Sequence, residues 1–390
     1  MRGEGTRVVR RGNESFVLSA LYLDGPLSRK ELSAATGLSP SAVSQSITGL
    51  VQNGLVREAG KADSNGGRPR TLLDINPTFG YTVGVAITGR ALRIGLFDLS
   101  CRRIQVVKRA LPTGVQDIDE VARELGIGIR HLLSLSGVHD SALSGIGIGL
   151  PSSASPHQAI PWTSRKLESL LGLGIPVFIE REVNIRALVE SRLGAARGVG
   201  RAVVVQIGLG VEASLVADGT AKRVRDWGHT TIDYGGRRCR CGARGCVEAY
   251  VGASGILERY LELSGREFPT EGNDFERLRT LVGSAEHCAD ARALVQETAG
   301  YIGAAVGNLI SLLAPARLVI SGWAGQLLGS RFLPEIRDAA TRQGREHGLS
   351  PAAVLLGRVE VDATLTGAAV LPVLGLIKRG TALPRAVAGL

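Results

Sequence analysis

The sequence predicts a mixed α/β fold in two parts, a small helical module closed by a β-hairpin and then a larger α/β domain of two lobes. Three observations carry that expectation. Residues 1–76 hold three helix signals followed by two short strand runs around a Gly/Arg-rich loop. Beyond residue 76, one strand-rich rhythm occurs twice. Residues 229–248 gather three of the five cysteines and one of the six histidines into a glycine-hinged segment. At 390 residues and 44% hydrophobic content, the chain is long enough for two or three domains with substantial cores.

Composition narrows the function classes. No run reads as a membrane span, since the longest apolar region, about residues 303–328, is broken by Asn308, Pro315 and Arg317. Arg2, Arg7, Arg10 and Arg11 are not followed by the uninterrupted apolar core of a signal peptide, so the expected location is the cytoplasm. The net charge of +10 suits a polyanionic partner, yet residues 1–75 hold ten Lys/Arg against seven Asp/Glu. Most of the excess lies elsewhere, and nucleic-acid binding has to be argued from a motif.

Between residues 7 and 23, Val8, Val9, Phe16, Val17, Ala20, Leu21 and Leu23 predict a helix with one buried face, stopped by Asp24-Gly25-Pro26. Ser28 with Glu31 is a capping box that opens a second helix. That helix ends near Gly37, and Ser39-Pro40 opens a third, with serine as N-cap and proline in the first helical position. Here Val43, Ile47, Leu50 and Val51 share one face, leaving Ser41, Ser44, Gln45 and Thr48 on the other. Small polar groups on an exposed helix suit a major groove, because glutamine can pair bidentately with adenine and hydroxyls can take bases or phosphates. Runs 55–59 and 71–75 predict the strands of a wing whose loop carries Arg68 and Arg70, guanidinium groups suited to a minor groove. Residues 1–76 therefore read as a winged helix-turn-helix for double-stranded DNA, the alternative being a helical module that docks to protein.

In residues 77–390, strand runs at 81–87, 92–97 and 103–107 are echoed at 202–207 and 212–216, the rhythm of a duplicated RNase H-like lobe with a ligand cleft between copies. Between them, 145–151 reads as a buried strand entering a loop, Trp162 lies in a later loop, and 175–180 is a strand feeding a helix over 184–193. Further on come a helix at 308–313, a strand at 317–320 and a final helix from Thr366 to Ile377.

The segment Cys239-Arg240-Cys241-Gly242-Ala243-Arg244-Gly245-Cys246 lets a tight turn bring three sulfurs around one ion, with Gly242 and Gly245 supplying positive φ. With His229 as fourth ligand, the set is a closed Cys₃His site for structural Zn²⁺. Cys101 and Cys288 read as small buried hydrophobes.

Gly228-His229 followed by Cys-x-Cys-Gly-x-x-Gly-Cys-x-Glu, ending at Glu248, resembles the signature of the ROK family, named for repressors, open reading frames and sugar kinases. The resemblance spans nearly the whole chain, and Gly66-Gly67-Arg68-Pro69 before the second wing strand is similar to the family's repressors. It implies a two-lobed actin-like ATPase fold, with lobe one at about 77–195 plus the C-terminal helix and lobe two at about 196–365 carrying the metal segment. Carried onto this chain, it puts sugar contacts at Asp226, where the family has glutamate, at His229, which can serve metal and sugar, at Glu248, and at Arg181-Glu182, where the kinases have Asn-Asp.

The kinase positions depart from the family pattern. Asp-x-Gly-Gly-Thr of the first phosphate loop is here Ala86-Ile87-Thr88-Gly89-Arg90. The catalytic aspartate is replaced by Glu182, whose extra methylene moves the carboxylate by more than the roughly 1 Å that can cost about a hundredfold in rate. Glu212 follows Gly208-Leu209-Gly210, where a carboxylate repels nucleotide phosphates. The expectation is a non-enzymatic transcriptional repressor of carbohydrate-related genes with a sugar or sugar-derivative effector, binding palindromic operators as a homodimer or dimer of dimers. The rival is an ATP-dependent sugar kinase carrying a DNA-binding domain. Arg181 in place of asparagine favours an anionic sugar, unless it merely pairs with Glu180 or Glu182.

Overall fold

A computed structural model describes residues 2–62, 69–88, 90–112, 117–151, 163–217, 219–265, 272–344, 354–358 and 362–379, with the side chains of 2–8, 88, 343 and 344 excepted. Arg68, Gly89 and Trp162 lie outside the described residues. The chain forms two compact units, Met1–Gly149 with Ile160–Glu180 and Leu365–Leu390, and Leu150–Ala159 with Arg181–Thr364.

The first unit begins with helix α1 (Arg2–Asp24), strand β1 (Leu27–Ser28), helices α2 (Arg29–Thr36) and α3 (Pro40–Gln52), and the hairpin β2 (Val56–Ala62) and β3 (Arg70–Ile75), in sheet order β1-β3-β2. The capping box is formed: the Glu31 amide donates to Ser28 Oγ at 3.4 Å and the Ser28 amide to the Glu31 carboxylate at 2.8 Å. Ser39 caps α3 by accepting from the Ala42 amide at 3.3 Å.

The buried faces differ from expectation in detail. Glu14, Val17, Leu18 and Leu21 form the inner stripe of α1, whereas Val9, Phe16 and Leu23, seven residues apart, lie on an exposed line. In α3, Val51 is exposed and Ser46 and Gly49 are buried, the Arg10 guanidinium and the Glu14 carboxylate of α1 lying over Gly49. The module's core is completed by Leu99 and by Val373, Leu376 and Ile377 of the last helix, α12 (Ala363–Arg379).

The same unit holds a sheet of β4 (Tyr81–Thr88), β5 (Ala91–Asp98), β6 (Arg103–Ala110), β7 (Leu143–Leu150) and β8 (Val177–Arg181), in the order β6-β5-β4-β7-β8. Helices α4 (Ile118–Ser136) and α5 (Ser164–Leu171) belong to this unit. Cys101 and Cys288 are half-buried rather than buried, and Cys101 Sγ lies 3.1 Å from the Tyr22 hydroxyl.

The second unit repeats the plan. After helix α6 (Glu182–Leu193), strands β9 (Arg201–Ile207), β10 (Val211–Ala217), β11 (Thr220–Val224), β12 (Arg317–Ser321) and β13 (Val354–Leu356) make a sheet in the order β11-β10-β9-β12-β13. Both five-stranded sheets place an antiparallel meander beside a parallel strand that pairs with the meander's first strand, so the rhythm read twice in the sequence is a duplicated topology. Helices α7 (Val247–Val251), α8 (Ala253–Ser264), α9 (Asp274–Ser284), α10 (Ala289–Leu313) and α11 (Trp323–Gly344) complete the unit. The helix expected only at 308–313 is the end of α10, whose buried Ala291, Leu294, Val295, Thr298, Ile302, Ala305 and Leu309 keep three- and four-residue spacing back to its start. Among the described residues, no helix is long and apolar enough to cross a membrane.

Candidate functional sites

The cysteine segment folds as a miniature hairpin. Isolated bridges pair Thr231 with Cys246 and Arg238 with Arg244, and the Cys239 amide donates to Ala243 O at 2.8 Å. Gly242 and Gly245 take φ of 96° and 76°, as the turn requires. Tyr250 fastens the hairpin to α7, donating to Asp233 at 2.6 Å and accepting from the Arg237 amide at 2.9 Å. His229 ends a 3-10 turn, Trp227–His229, anchored by buried Trp227.

These constraints bring one ligand atom each from His229, Cys239, Cys241 and Cys246 within 4.8 Å of one another. Cys241 Sγ and Cys246 Sγ are 3.7 Å apart, and Cys239 Sγ is 3.6 Å from His229 Nδ1. A tetrahedral ion with metal–sulfur bonds of about 2.3 Å and metal–nitrogen bonds of about 2.0 Å requires separations of about 3.8 and 3.5 Å, so the donor set fits one thiophilic ion. Burial pushes the Cys246 thiol up to about 12 and also raises Cys239. Burial pulls Cys241 upward too, but the Ala243 amide and the two neighbouring thiols outweigh it and bring it below the ordinary thiol value. Because His229 turns Nδ1 to the sulfurs, Nε2 is on the far side of the ring for a second partner.

The other expected sugar contacts fall into small groups. Glu248, nearly buried, accepts from the Val211 amide at 3.0 Å and pairs with Arg240 at 2.6 Å. A cavity of about 50 Å³ beside this pair, lined by Leu209, Cys239, Arg240, Glu248 and Ser254, is room for water rather than a sugar ring. One residue beyond Val211, Glu212 lies 3.8 Å from Arg181 and 3.3 Å from Arg223, which also reaches Asp226 at 3.7 Å. Asp226 is held in the left-handed region at φ 53°, with its carboxylate largely exposed. Arg181 thus meets Glu212, a carboxylate the sequence reading did not consider as its partner. Glu182 pairs with Arg186 at 2.8 Å and accepts from the Thr364 hydroxyl at 2.8 Å.

Sequence reasoning missed Arg186, Arg223, Arg240 and Thr364 as partners of the site carboxylates. Arg186 carried a signal, since it stands four residues after Glu182 on one helix. Thr364 carried none, being 182 residues away.

On α3, Ser41, Ser44, Gln45 and Thr48 are all exposed, as expected for a face offered to DNA. Two of the hydroxyls are engaged locally: Thr48 donates to Ser44 O at 2.9 Å and Ser41 Oγ is 3.0 Å from Ser39 Oγ. Gln45 is the longest polar group on that face. Arg70 is exposed at the start of β3.

The family model described as ROK matches residues 82–373, well over half of the sequence. The chain belongs to the ROK family. A MarR family model matches residues 11–68. The xylose repressor of Bacillus subtilis is 28% identical over 328 residues, covering 80% of this chain and 82% of that protein. Among solved structures, a ROK family transcriptional regulator described as a homolog of the Escherichia coli Mlc protein superposes with a TM-score of 0.77 over 98% of this chain and 100% of its own, at 23% identity. A ROK hexokinase from Thermus thermophilus superposes with a TM-score of 0.61 at 24% identity, covering 74% of this chain and 97% of its own. The α/β part is thus the ROK fold, and the N-terminal part is a MarR-type winged helix.

Proposed function

We propose that this ROK protein is a sequence-specific DNA-binding repressor of carbohydrate-related genes, in which a sugar or sugar derivative bound by the α/β domain sets operator affinity. The observation that carries the reading is the exposed polar face of α3, with Gln45 at its centre, in a winged module joined to a ROK domain. The named repressors among its relatives support it. Gln45 reads a base with Ser41, Ser44 and Thr48 around it, and Arg68 and Arg70 of the wing contact a groove or phosphates. Two copies, or a dimer of dimers, occupy a palindrome.

His229, Cys239, Cys241 and Cys246 hold structural Zn²⁺, whose closed coordination supplies folding energy to the hairpin rather than chemistry. Asp226, His229 Nε2, Glu182 and Glu248 accept from or donate to sugar hydroxyls, Glu248 once Arg240 swings away. Arg181 shares the Glu212 carboxylate with Arg223, so its charge is offset only in part, and the site takes a sugar or sugar derivative. The protein does not act as a kinase in this reading, since Arg90, Glu182 and Glu212 stand where phosphate binding and proton abstraction need other groups.

Operator binding tests the proposal. Gln45→Ala is expected to weaken a selected operator by about 1–3 kcal/mol while leaving random duplex nearly unaffected, and Arg70→Ala to lower affinity and salt dependence together. An unchanged footprint from a chain lacking residues 1–76 would refute DNA recognition by the winged module. ATP consumption stimulated by any hexose or amino sugar would overturn the non-enzymatic reading.

A further inference from the structure

We infer that Thr364 is the positioning residue for Glu182, and that α12 carries the state of this carboxylate into the core of the winged module. The inference rests on the reading of Glu182 as an effector contact. Three donated bonds converge on one oxygen of Glu182: Arg186 Nε at 3.0 Å, Arg186 Nη2 at 2.8 Å and the Thr364 hydroxyl at 2.8 Å all end on Oε1. Oε2 receives none of these three and is the oxygen a sugar hydroxyl can address. Thr364 is 7% exposed, so its hydroxyl has little water to fall back on if the carboxylate rotates. A buried hydroxyl that loses its acceptor costs free energy, and the first turn of α12 is therefore tied to the orientation of Glu182.

The other end of the same helix is committed differently. Val373, Leu376 and Ile377 are buried in one cluster with Val17, Leu21, Ile47 and Leu50, the residues that set α1 against α3. Nine residues separate Thr364 from Val373, roughly 14 Å along a helix axis. Between them the helix lies flush on β7, since a Cβ at Gly147 would meet the Ala368 carbonyl at 1.8 Å. Pro372 has no amide to donate to that carbonyl, yet α12 runs as one helix from Ala363 to Arg379, so a single element joins Thr364 to Val373. Displacement of the first turn is thereby delivered to a close-packed core that cannot absorb it without shifting α1 or α3.

The test is a double-mutant cycle on the full chain, read as affinity for an operator selected from random duplexes by the wild type. Thr364→Val and Glu182→Ala are each expected to shift operator Kd by about threefold or more, the double variant no further than either single, and Thr364→Ser to behave as wild type. Single effects that multiply in the double variant, or operator affinities all equal to wild type, would overturn the inference. The same titrations are run with D-xylose, D-glucose and N-acetylglucosamine, and Thr364→Val is expected to blunt any response the wild type gives. If none of these sugars moves the wild-type affinity while the cycle remains non-multiplicative, the coupling stands and the effector reading falls. A sugar response equally large in wild type and Thr364→Val, with the sugar bound equally well, overturns the coupling alone.

Discussion

Two glycines of the cysteine hairpin are expected to differ sharply in tolerance to alanine. Both have positive φ, 96° at Gly242 and 76° at Gly245, so either substitution carries a left-handed penalty of about 1–2 kcal/mol. At Gly242 nothing else is lost, because an added Cβ meets no atom within 4 Å. At Gly245 that Cβ would lie 1.8 Å from the Asp233 carbonyl oxygen, against the 3.0 Å that real Cβ atoms keep. The carbonyl has to retreat, and it accepts from the Gly236 amide at 3.1 Å while the same residue's side chain accepts from Tyr250 at 2.6 Å. Adding an overpacking cost of about 1–3 kcal/mol gives about 2–5 kcal/mol for Gly245→Ala. For a unit of this size each kcal/mol moves the midpoint by about 2–4 °C. Thermal unfolding with parallel metal analysis should show Gly245→Ala melting well below Gly242→Ala and holding less metal. Equal midpoints for the two variants would refute the packing argument.

Two further outcomes are expected. Cys241→Ser should purify without stoichiometric zinc and melt lower than wild type, and a strong chelator should lower the wild-type midpoint but not the variant's; a wild-type chain free of metal would refute the site. The Glu31 carboxyl is held below its ordinary range, first by the Ser28 hydroxyl and then by the Ser28 amide. Its contribution to stability is therefore present above an unfolded value near about 4.3 and lost as pH falls through the lower folded one. Ser28→Ala should flatten the acid limb of the stability profile, and superimposable profiles would count against the capping box.

What the sequence disclosed and what it withheld divide along physical lines. Signals carried by neighbouring residues were legible: the Ser28–Glu31 box, the Ser39-Pro40 start, and the Cys/Gly spacing that shapes the cysteine hairpin. The doubled strand rhythm was legible as well, because buried strands are runs of apolar residues. Helix faces were read less well, as Val51 and Gly49 show, since which line of α3 is covered depends on where α1 crosses it. The candidate effector site was the least legible part. Its residue types could be carried over by resemblance, but apart from the local pairs Arg186–Glu182 and Arg223–Asp226 the partners of its carboxylates come from tertiary structure: Arg240 folds back on Glu248, β11 brings Arg223 to Glu212, and Thr364 arrives from the far end of the chain.

The shared cluster under the winged module has a consequence for synthesis. The ribosome makes α1, α2 and α3 first, yet three of the side chains that close their core, Val373, Leu376 and Ile377, are among the last described residues to be made. Until they emerge, α1 and α3 pack on each other and on Leu32, Leu55, Leu73 and Leu99, but the core lacks the three side chains that complete it. Contacts of such long sequence separation also form slowly. A nascent chain thus carries a winged module whose core stays incomplete until the last described helix has been made.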